Sequence, residues 1–326
     1  MFDTHCHLQF AAFAGREKEI LNRAKDVGMT YMMLPSTDVA TSQNAIQIVR
    51  RHSGANPAVA SGEAIESNKT DPISRVRSFQ DDIQLFAAVG IHPHHVFETQ
   101  QSDSTRDLNK ELKIIESLLK NKEVVAVGEI GVDRYYYKDT KYSDYRITEE
   151  FVALQKEVLK EQLGFVVKYD KSLILHNREA KQDLLEVLGE LRVSELASLA
   201  GRTVLHCCEP DQELLAYAKE HGFYLGVDGD VTYSQEKAGF IKKVPLEMLV
   251  LETDSPFLTP EPIRSMSTCE VDNGLARQSK GRRPMNEPKN LRLIAEYIAN
   301  LKNTSIIQII EVTTANAKRL FRVQSS

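Results

Sequence analysis

The sequence predicts a single-domain (β/α)8 barrel, the TIM-barrel architecture, and three observations support this prediction. Short apolar runs alternate with amphipathic segments along most of the 326 residues, which is typical of a parallel sheet covered by helices. Five of these runs end on a residue type that binds metal ions. The length also suits one barrel, since barrels have about 250 residues and tolerate insertions.

The predicted elements follow one another in this alternation from the N-terminus. Runs this short and this rich in Val, Ile and Leu indicate buried parallel strands. The predicted strands are residues 1–4, 31–34, 85–89, 124–129, 172–176 and 203–206, a run ending at Asp228, and residues 248–254. The predicted helices are residues 16–27, 39–52, 107–121, 148–168, 180–191, 211–221, 288–301 and 305–320, with a further segment, 237–244, before the last strand.

Two stretches interrupt the alternation of strands and helices, and neither separates the chain into two domains. Residues 54–81 are polar and irregular, which predicts an inserted loop, and residues 259–287 predict a long loop at the face that carries the site. No linker separates two cores. We therefore expect residues 1–326 to form one domain.

Metal-binding residue types stand at five strand ends. They are His5 with His7, Glu129, His176, His206 and Asp254. One histidine after an apolar run is more often structural, and one carboxylate is often a cap or turn former. Five such cases at the same end of the strands indicate more, because these ends meet at the mouth of a barrel. Alternation along a strand also places both imidazoles of His5 and His7 on one side, with Cys6 on the other.

Composition narrows the classes of protein that remain. The hydrophobic content of 42% and charged content of 27% are ordinary for a globular chain, and no run approaches the roughly 20 apolar residues of a membrane span. A formal charge of −5 disfavours a broad nucleic-acid surface, so such a substrate would be gripped locally. The four cysteines form no C-x-x-C pair, which favours a cytoplasmic location, or a nuclear one in a eukaryote, over secretion. Since residues 3–7 already carry predicted ligands, we expect no cleaved leader.

Seven motifs together resemble the TatD family of metal-dependent deoxyribonucleases, within the amidohydrolase superfamily. The matching residues are 3–8 (DTHCHL), 90–94 (GIHPH), 127–133 (VGEIGVD), 175–180 (LHNREA), 205–207 (LHC), 251–256 (LETDSP) and 286–288 (NEP). Members usually have an aromatic and a small polar residue where this chain has Cys208, Glu209 and Pro210. The basic residue that normally precedes the Asn-Glu-Pro motif is also displaced here, and residues 54–81 have no counterpart in compact members.

The predicted ligands can hold two divalent ions, and the resemblance implies the same. His5, His7 and Asp254 would bind one ion, while His176 and His206 would bind the other. Glu129 would bridge the two ions, which suits in-line displacement at phosphorus. Asp254 is the candidate base, because its carboxylate can accept a proton from the attacking water. The mixed histidine and carboxylate set is compatible with Zn²⁺, Mn²⁺ or Mg²⁺.

Further residues are candidates for contacting phosphate, and each has a plainer interpretation. Arg178 could pair with phosphate oxygens or be an exposed arginine at a helix start. His92 and His94 could contact phosphate or stabilise a turn. Arg282 and Arg283, beside Lys280, could steer a nucleic-acid strand or form a solvated loop. Glu252 is on the same strand face as Asp254 and would order the ligands. Residues 135–137, three tyrosines, could stack on a base, although aromatic runs in loops more often pack on the scaffold.

These observations predict a hydrolase that cleaves phosphodiester bonds in DNA. The resemblance implies exonuclease action from the 3′ end, mainly on single strands. The alternative within the same fold is an amidohydrolase or phosphotriesterase-like enzyme acting on a small molecule, in which a carbamylated lysine often occupies the place that Glu129 has here. A barrel that has lost its chemistry is disfavoured by the complete ligand set. The sequence indicates no protein partner.

Overall fold

Eight parallel strands form a closed barrel in this computed structural model, which describes residues 1–52, 83–100, 107–138, 145–266 and 284–324. The strands pair in chain order: β1 (Phe2–Asp3), β2 (Tyr31–Leu34), β3 (Gln84–Val89), β4 (Val124–Asp133), β5 (Ser172–Arg178), β6 (Thr203–Leu205), β7 (Tyr224–Val227) and β8 (Leu249–Leu251). The last strand meets the first through backbone hydrogen bonds, from Thr4 N to Leu251 O (3.0 Å) and from Asp254 N to His5 O (2.8 Å). The predicted fold class is confirmed.

Helices surround the barrel. They are α1 (Glu17–Asp26), α2 (Val39–His52), α3 (Pro93–Val96), α4 (Leu108–Leu118), α5 (Glu149–Lys168), α6 (Lys181–Gly189), α7 (Val193–Ser198), α8 (Gln212–His221), α9 (Gln235–Lys243), α10 (Leu291–Lys302) and α11 (Ile306–Phe321). Short 3₁₀ turns span Phe97–Gln100, Gly229–Thr232, Leu246–Met248, Ile263–Ser265 and Pro288–Asn290. The main core lies between helices and strands. No helix among the described residues is long and apolar enough to cross a membrane.

A second apolar cluster fills the barrel and is closed at its N-terminal end by α11. Phe2, Phe86 and Ile174 belong to this cluster, and the rings of Phe2 and Phe321 lie 5.6 Å apart. The Ser172 hydroxyl donates to Leu320 O at 2.6 Å. The closed N-terminal end leaves the opposite, carboxyl end for polar residues.

The prediction that β4 ends at Glu129 was wrong. The strand continues to Asp133, with a shift in its pairing to β5 between Val127 and Ile130. At this shift Glu129 N donates to Ser36 O, beyond the end of β2, at 2.8 Å. The backbone of Gly131 then passes so close to β5 that a Cβ there would lie 1.8 Å from His176 O. Glycine at position 131 permits this approach.

Most other predicted bounds agree with the structure to within a few residues, and β2 and α2 agree in full. The short helices α3 and α7 were not predicted from the sequence. The predicted insertion at 54–81 lies outside the described residues. For the predicted loop at 259–287, the described ends meet near the site: Thr259 Oγ1 donates to Pro284 O at 2.8 Å, and Asn286 Nδ2 donates to Thr253 O at 2.8 Å.

Candidate metal centre and substrate cavity

The predicted ligands from five strands come together at the carboxyl end of the barrel. His5 Nε2 and His7 Nε2 lie 3.2 Å apart, and Asp254 Oδ1 lies 3.3 Å from His7 Nε2 and 3.8 Å from His5 Nε2. These three residues form one group of possible ligands, as the sequence predicted.

Glu129 lies at the centre, and its two carboxylate oxygens face different histidines. Oε2 is 3.3 Å from His5 Nε2. Oε1 is 2.7 Å from His176 Nδ1 and 3.6 Å from His206 Nε2, with His92 Nε2 at 3.7 Å. The side chain is buried. The two oxygens of this carboxylate therefore contact different imidazoles.

His176 and His206, which were predicted to hold the second ion together, belong to different groups of possible ligands. His206 groups with His5 and Glu129, whereas His176 groups with His92 and Asp133. His176 contacts both sides, because its Nδ1 faces Glu129 and its Nε2 lies 3.0 Å from Asp133 Oδ2. His92 thus lies among the predicted ligands, and its Nδ1 also accepts a hydrogen bond from His94 N at 3.1 Å at the start of α3.

The electrostatics of this cluster favour a cation. Burial opposes charge on Glu129, but His92, His206 and His5 hold its pKa well below the usual value. Burial also opposes charge on His206, yet Glu252 and Glu129 raise its pKa to about 10. Against the same burial, Asp133 and Glu129 raise the pKa of His176 to about 9. The carboxylates therefore stabilise positive charge here, as they would stabilise bound metal ions.

The outer nitrogens of two histidines are already engaged, which leaves their inner nitrogens for metal ions. His7 Nδ1 donates to Pro35 O at 3.1 Å, and His206 Nδ1 lies 2.9 Å from Glu252 Oε1. Metal-binding histidines usually show this pairing, which fixes the tautomer. Two Nε2 atoms that face each other, as in His5 and His7, are also suited to a shared cation. The donor set therefore fits metal ions.

Glu252 has the predicted ordering position. Its carboxylate contacts His206 and accepts a hydrogen bond from Cys207 N at 2.6 Å. A Cβ at position 226 would lie 2.4 Å from both Glu252 oxygens. Gly226 on β7 therefore provides the room that this buried carboxylate needs.

Asp254 differs from Glu129 in its exposure and its backbone. Its side chain is 14% exposed and borders the cavity. Its backbone is left-handed, with φ of 50°, which Asp tolerates better than most residues. Asp254 N donates to His5 O, so the bond that closes the barrel also positions the predicted base.

Asp133, which was not predicted as a site residue, organises one wall of the site. Its Oδ2 accepts from the Tyr137 hydroxyl at 2.7 Å, and Tyr137 Oη in turn accepts from Arg178 at 3.1 Å. The Arg178 guanidinium also lies over the Tyr135 ring, 3.9 Å from its centre. Asp133 could have been found from its spacing to Glu129, because residues 129, 131 and 133 lie on the same face of a strand.

The structure describes some of the residues that were predicted to contact phosphate. Arg178 is exposed and lines the cavity. His94 lines the same cavity. Tyr135 and Tyr137 are engaged by Arg178, which favours the plainer expectation that this run packs on the scaffold. Arg282 and Arg283 lie outside the described residues.

A cavity of about 970 Å³ opens above the ligands. Arg178, Tyr137 and His94 line one wall, while Phe257 and Phe10 line the wall next to His7. Glu209, where this chain departs from the family pattern, accepts a hydrogen bond from Glu179 N at 2.9 Å and another from Asn177 Nδ2. It thus ties the loop after β6 to the end of β5 that carries Arg178.

One more cluster of possible ligands borders the cavity, but a lysine occupies its centre. Cys207, Asp228 and Asp230 lie together. Lys237 Nζ lies 2.7 Å from Asp230 Oδ1 and 3.4 Å from Asp228 Oδ2, and the side chain is buried. The ammonium group already supplies the positive charge at this place.

A closed parallel barrel with histidines and carboxylates at the carboxyl ends of its strands is the arrangement of a metal-dependent hydrolase. Residues 2–322 match the model of the family described as TatD related DNase, and the chain belongs to this family. It is 28% identical to the uncharacterized metal-dependent hydrolase YabD of Bacillus subtilis, over 99% of each chain. It is 24% identical to the human deoxyribonuclease TATDN3, over 98% of this chain and 94% of that one. The crystal structure of YJJV, a TatD homologue from Escherichia coli, has a TM-score of 0.68 and 24% identity, and covers 99% of this chain and 98% of that one.

Proposed function

We propose that the protein is a deoxyribonuclease that uses two divalent ions to remove nucleotides from the 3′ end of single-stranded DNA. The proposal rests chiefly on Glu129, whose two oxygens face separate sets of imidazoles. His5, His7 and Asp254 would hold one ion, and His176 and His206 the other, with Glu129 between them. His92 is a further candidate ligand, because it lies as close to Glu129 as His206 does. Zn²⁺, Mn²⁺ and Mg²⁺ all suit this set.

When bound, such ions lower the pKa of a water molecule and stabilise negative charge on phosphoryl oxygens. The residues of the chain supply the rest. Asp254, partly exposed to the cavity beside His7, would accept the proton of the attacking water. Arg178, fixed by stacking and by Tyr137, would donate paired hydrogen bonds to a phosphate.

The alternative, a hydrolase of a small molecule, has less support. Small-molecule pockets span about 300–1,000 Å³, so the 970 Å³ cavity is at their upper limit. Glu129 has the place of the bridging lysine of that branch. Lys237, the lysine lining the described part of the cavity, is engaged by Asp228 and Asp230. A human relative is named a deoxyribonuclease, which also favours DNA.

Basic residues beyond the metal centre would hold the rest of the strand. We propose Arg282 and Arg283 for this role from sequence alone, because a chain with formal charge −5 must grip DNA locally. Intracellular action, in the cytoplasm or the nucleus, is likewise proposed from the cysteine spacing. No protein partner is proposed.

The test is to incubate metal-reconstituted protein with single-stranded oligonucleotides labelled at either end and, in parallel, with small ester and amide substrates. We expect stepwise shortening from the 3′ end and negligible turnover of the small substrates. Faster turnover of a small ester or amide than of DNA would replace the nuclease with the alternative. Shortening from the 5′ end would overturn the proposed polarity.

Glu129→Ala tests the ligand assignment in the same assays. It should abolish hydrolysis and lower the metal content, while circular dichroism shows a folded barrel. Glu236→Ala is the matched control, since this exposed carboxylate borders the same cavity without facing the histidines. A Glu129→Ala protein with normal metal content and normal activity would overturn the two-ion assignment.

A further inference from the structure

Phe257 is an exposed aromatic residue beside the metal centre. Its side chain is 52% exposed, although most large apolar residues of the described chain are buried. It follows Asp254 in a tight turn, with its N–H donating to Asp254 O at 2.8 Å. Its ring contacts those of His7 and Phe10 edge to face, at 6.2 Å in both cases. Phe257 is therefore held at a fixed place beside a predicted ligand.

Neighbouring side chains and loops pack against this wall of the cavity. Phe10 stacks on His7, with ring centres 4.3 Å apart and planes at 12°. The loop that follows Phe257 packs on the loop after β7, where a Cβ at Gly229 would lie 2.0 Å from Leu258 O. Glu261 N also donates to Thr232 Oγ1 at 2.8 Å. The loops on this side of the cavity thus pack on one another, and the Phe257 side chain lines the cavity.

Phe257 and Arg178 lie at the two ends of one series of contacts that runs through the predicted metal ligands. From Arg178, contacts run through Tyr137, Asp133 and His176 to Glu129. From Glu129 they continue through His5 and His7 to Phe257. One end thus offers a guanidinium, which suits phosphate, and the other offers an apolar ring. A nucleotide strand carries both kinds of group in alternation.

We propose that Phe257 stacks on the base of the terminal nucleotide that is removed, while Arg178 holds a phosphate on the opposite side of the scissile bond. This inference rests on the proposed nuclease function. The terminal nucleotide has no phosphate beyond its own, so its side of the site needs a base contact and no cation. Stacking does not depend on base identity, because every base has a π-face. The site would therefore remove all four nucleotides.

The test compares oligonucleotides whose 3′-terminal residue is a normal nucleotide or a tetrahydrofuran analogue without a base. Metal-loaded wild-type protein should prefer the normal end by about 5- to 150-fold in kcat/KM, as one stacked base contributes. Phe257→Ala should lose this preference, and Phe257→Tyr should keep it. With the analogue at the penultimate position, Phe257→Ala should still reduce the rate, because the terminal base remains.

A binding readout separates this role from a general effect on activity. With 2-aminopurine at the 3′ end and metal removed by chelation, wild-type protein should quench its fluorescence, and Phe257→Ala should not. Tyr136→Ala is the matched control, since Tyr136 is 54% exposed and does not line the cavity.

The two proposals fail in different ways. If wild-type protein shortens DNA but Phe257→Ala keeps the full preference for a terminal base, the stacking inference is wrong and the nuclease stands. If wild-type protein neither shortens DNA nor quenches the probe, the proposed function itself fails.

Discussion

Asp254 and Glu129 are both carboxylates at the mouth of the barrel, and their surroundings suit them to different tasks. Glu129 is buried among imidazoles that hold its pKa far below the usual value, so it remains an anion that binds cations. Asp254 contacts His7 from the edge of the cavity, where a water molecule and a substrate can reach it. Position, more than residue type, distinguishes the two roles.

Asp254→Asn should therefore reduce kcat by about 10²–10⁴, the contribution of a general base, with little change in KM. Asparagine keeps the size and one oxygen but cannot take the proton. Steady-state kinetics on a single-stranded oligonucleotide measure the effect, and metal analysis of the purified variant is the control. A KM that rises in proportion to the loss of rate would assign Asp254 to binding instead.

Tyr137→Phe should weaken phosphate binding, because the Tyr137 hydroxyl joins Arg178 to Asp133. Loss of a hydrogen bond to a charged group costs about 1.5–3 kcal/mol, so kcat/KM should fall by about tenfold or more, mainly through KM. Tyr145→Phe is the matched control, since the buried Tyr145 hydroxyl has no hydrogen-bond partner among the described residues. Equal kinetics for the two variants would show that Tyr137 does not position Arg178.

At the scale of whole elements, α5 holds two strand ends in place through two glutamines. Gln162 pairs with both backbone groups of Ile91, at 2.8 Å and 3.1 Å. Gln155 does the same for Asp133, also at 2.8 Å and 3.1 Å. Seven residues make about two helical turns, so both amides lie on one face. The helix thereby fixes the positions of His92 and of Asp133.

Gln162→Leu should lower the free energy of unfolding by about 2–4 kcal/mol, because it leaves a buried N–H and a buried carbonyl without partners. Urea denaturation measures this change. Gln182→Leu, on the exposed face of α6, should change stability by less than about 0.5 kcal/mol. If both variants unfold at the same urea concentration, the pairing with Ile91 contributes no stability.

The elements that follow from a local sequence pattern were predictable from the sequence. The features that depend on contacts between residues far apart in the sequence were not. The spacing and the content of apolar residues predicted the strands and the main helices. They also predicted the five strand ends that carry possible ligand residues. The shift in β4 depends on Ser36, a residue 93 positions earlier by numbering, and no local pattern announces it. The roles of Asp133 and of the two glutamines also depend on contacts made only in the folded barrel.

At the scale of the whole molecule, the formal charge of −5 gives no general attraction for DNA. Binding should depend on a few cations close to the cavity, with the metal ions. Arg178 is one of these cations by its position, and the pair Arg282 and Arg283 is proposed from the sequence. Few contacts imply a shallow dependence of affinity on salt.

The logarithm of the DNA association constant should fall with the logarithm of salt concentration by about 0.7 per contacted phosphate on a single strand. Arg282→Ala with Arg283→Ala should reduce the slope by roughly one to one and a half units and spare the cleavage of dinucleotides. Arg178→Ala should impair even a 5′-phosphorylated dinucleotide, because that substrate still carries the phosphate that Arg178 would hold next to the metal centre. Lys242→Ala with Lys243→Ala is the matched control: it removes the same charge from the last turn of α9, which runs away from the cavity toward the start of β8. Fluorescence anisotropy at several salt concentrations gives the slopes. If the arginine and lysine pairs change the slope equally, the effect comes from net charge, and residues 282 and 283 do not contact the strand.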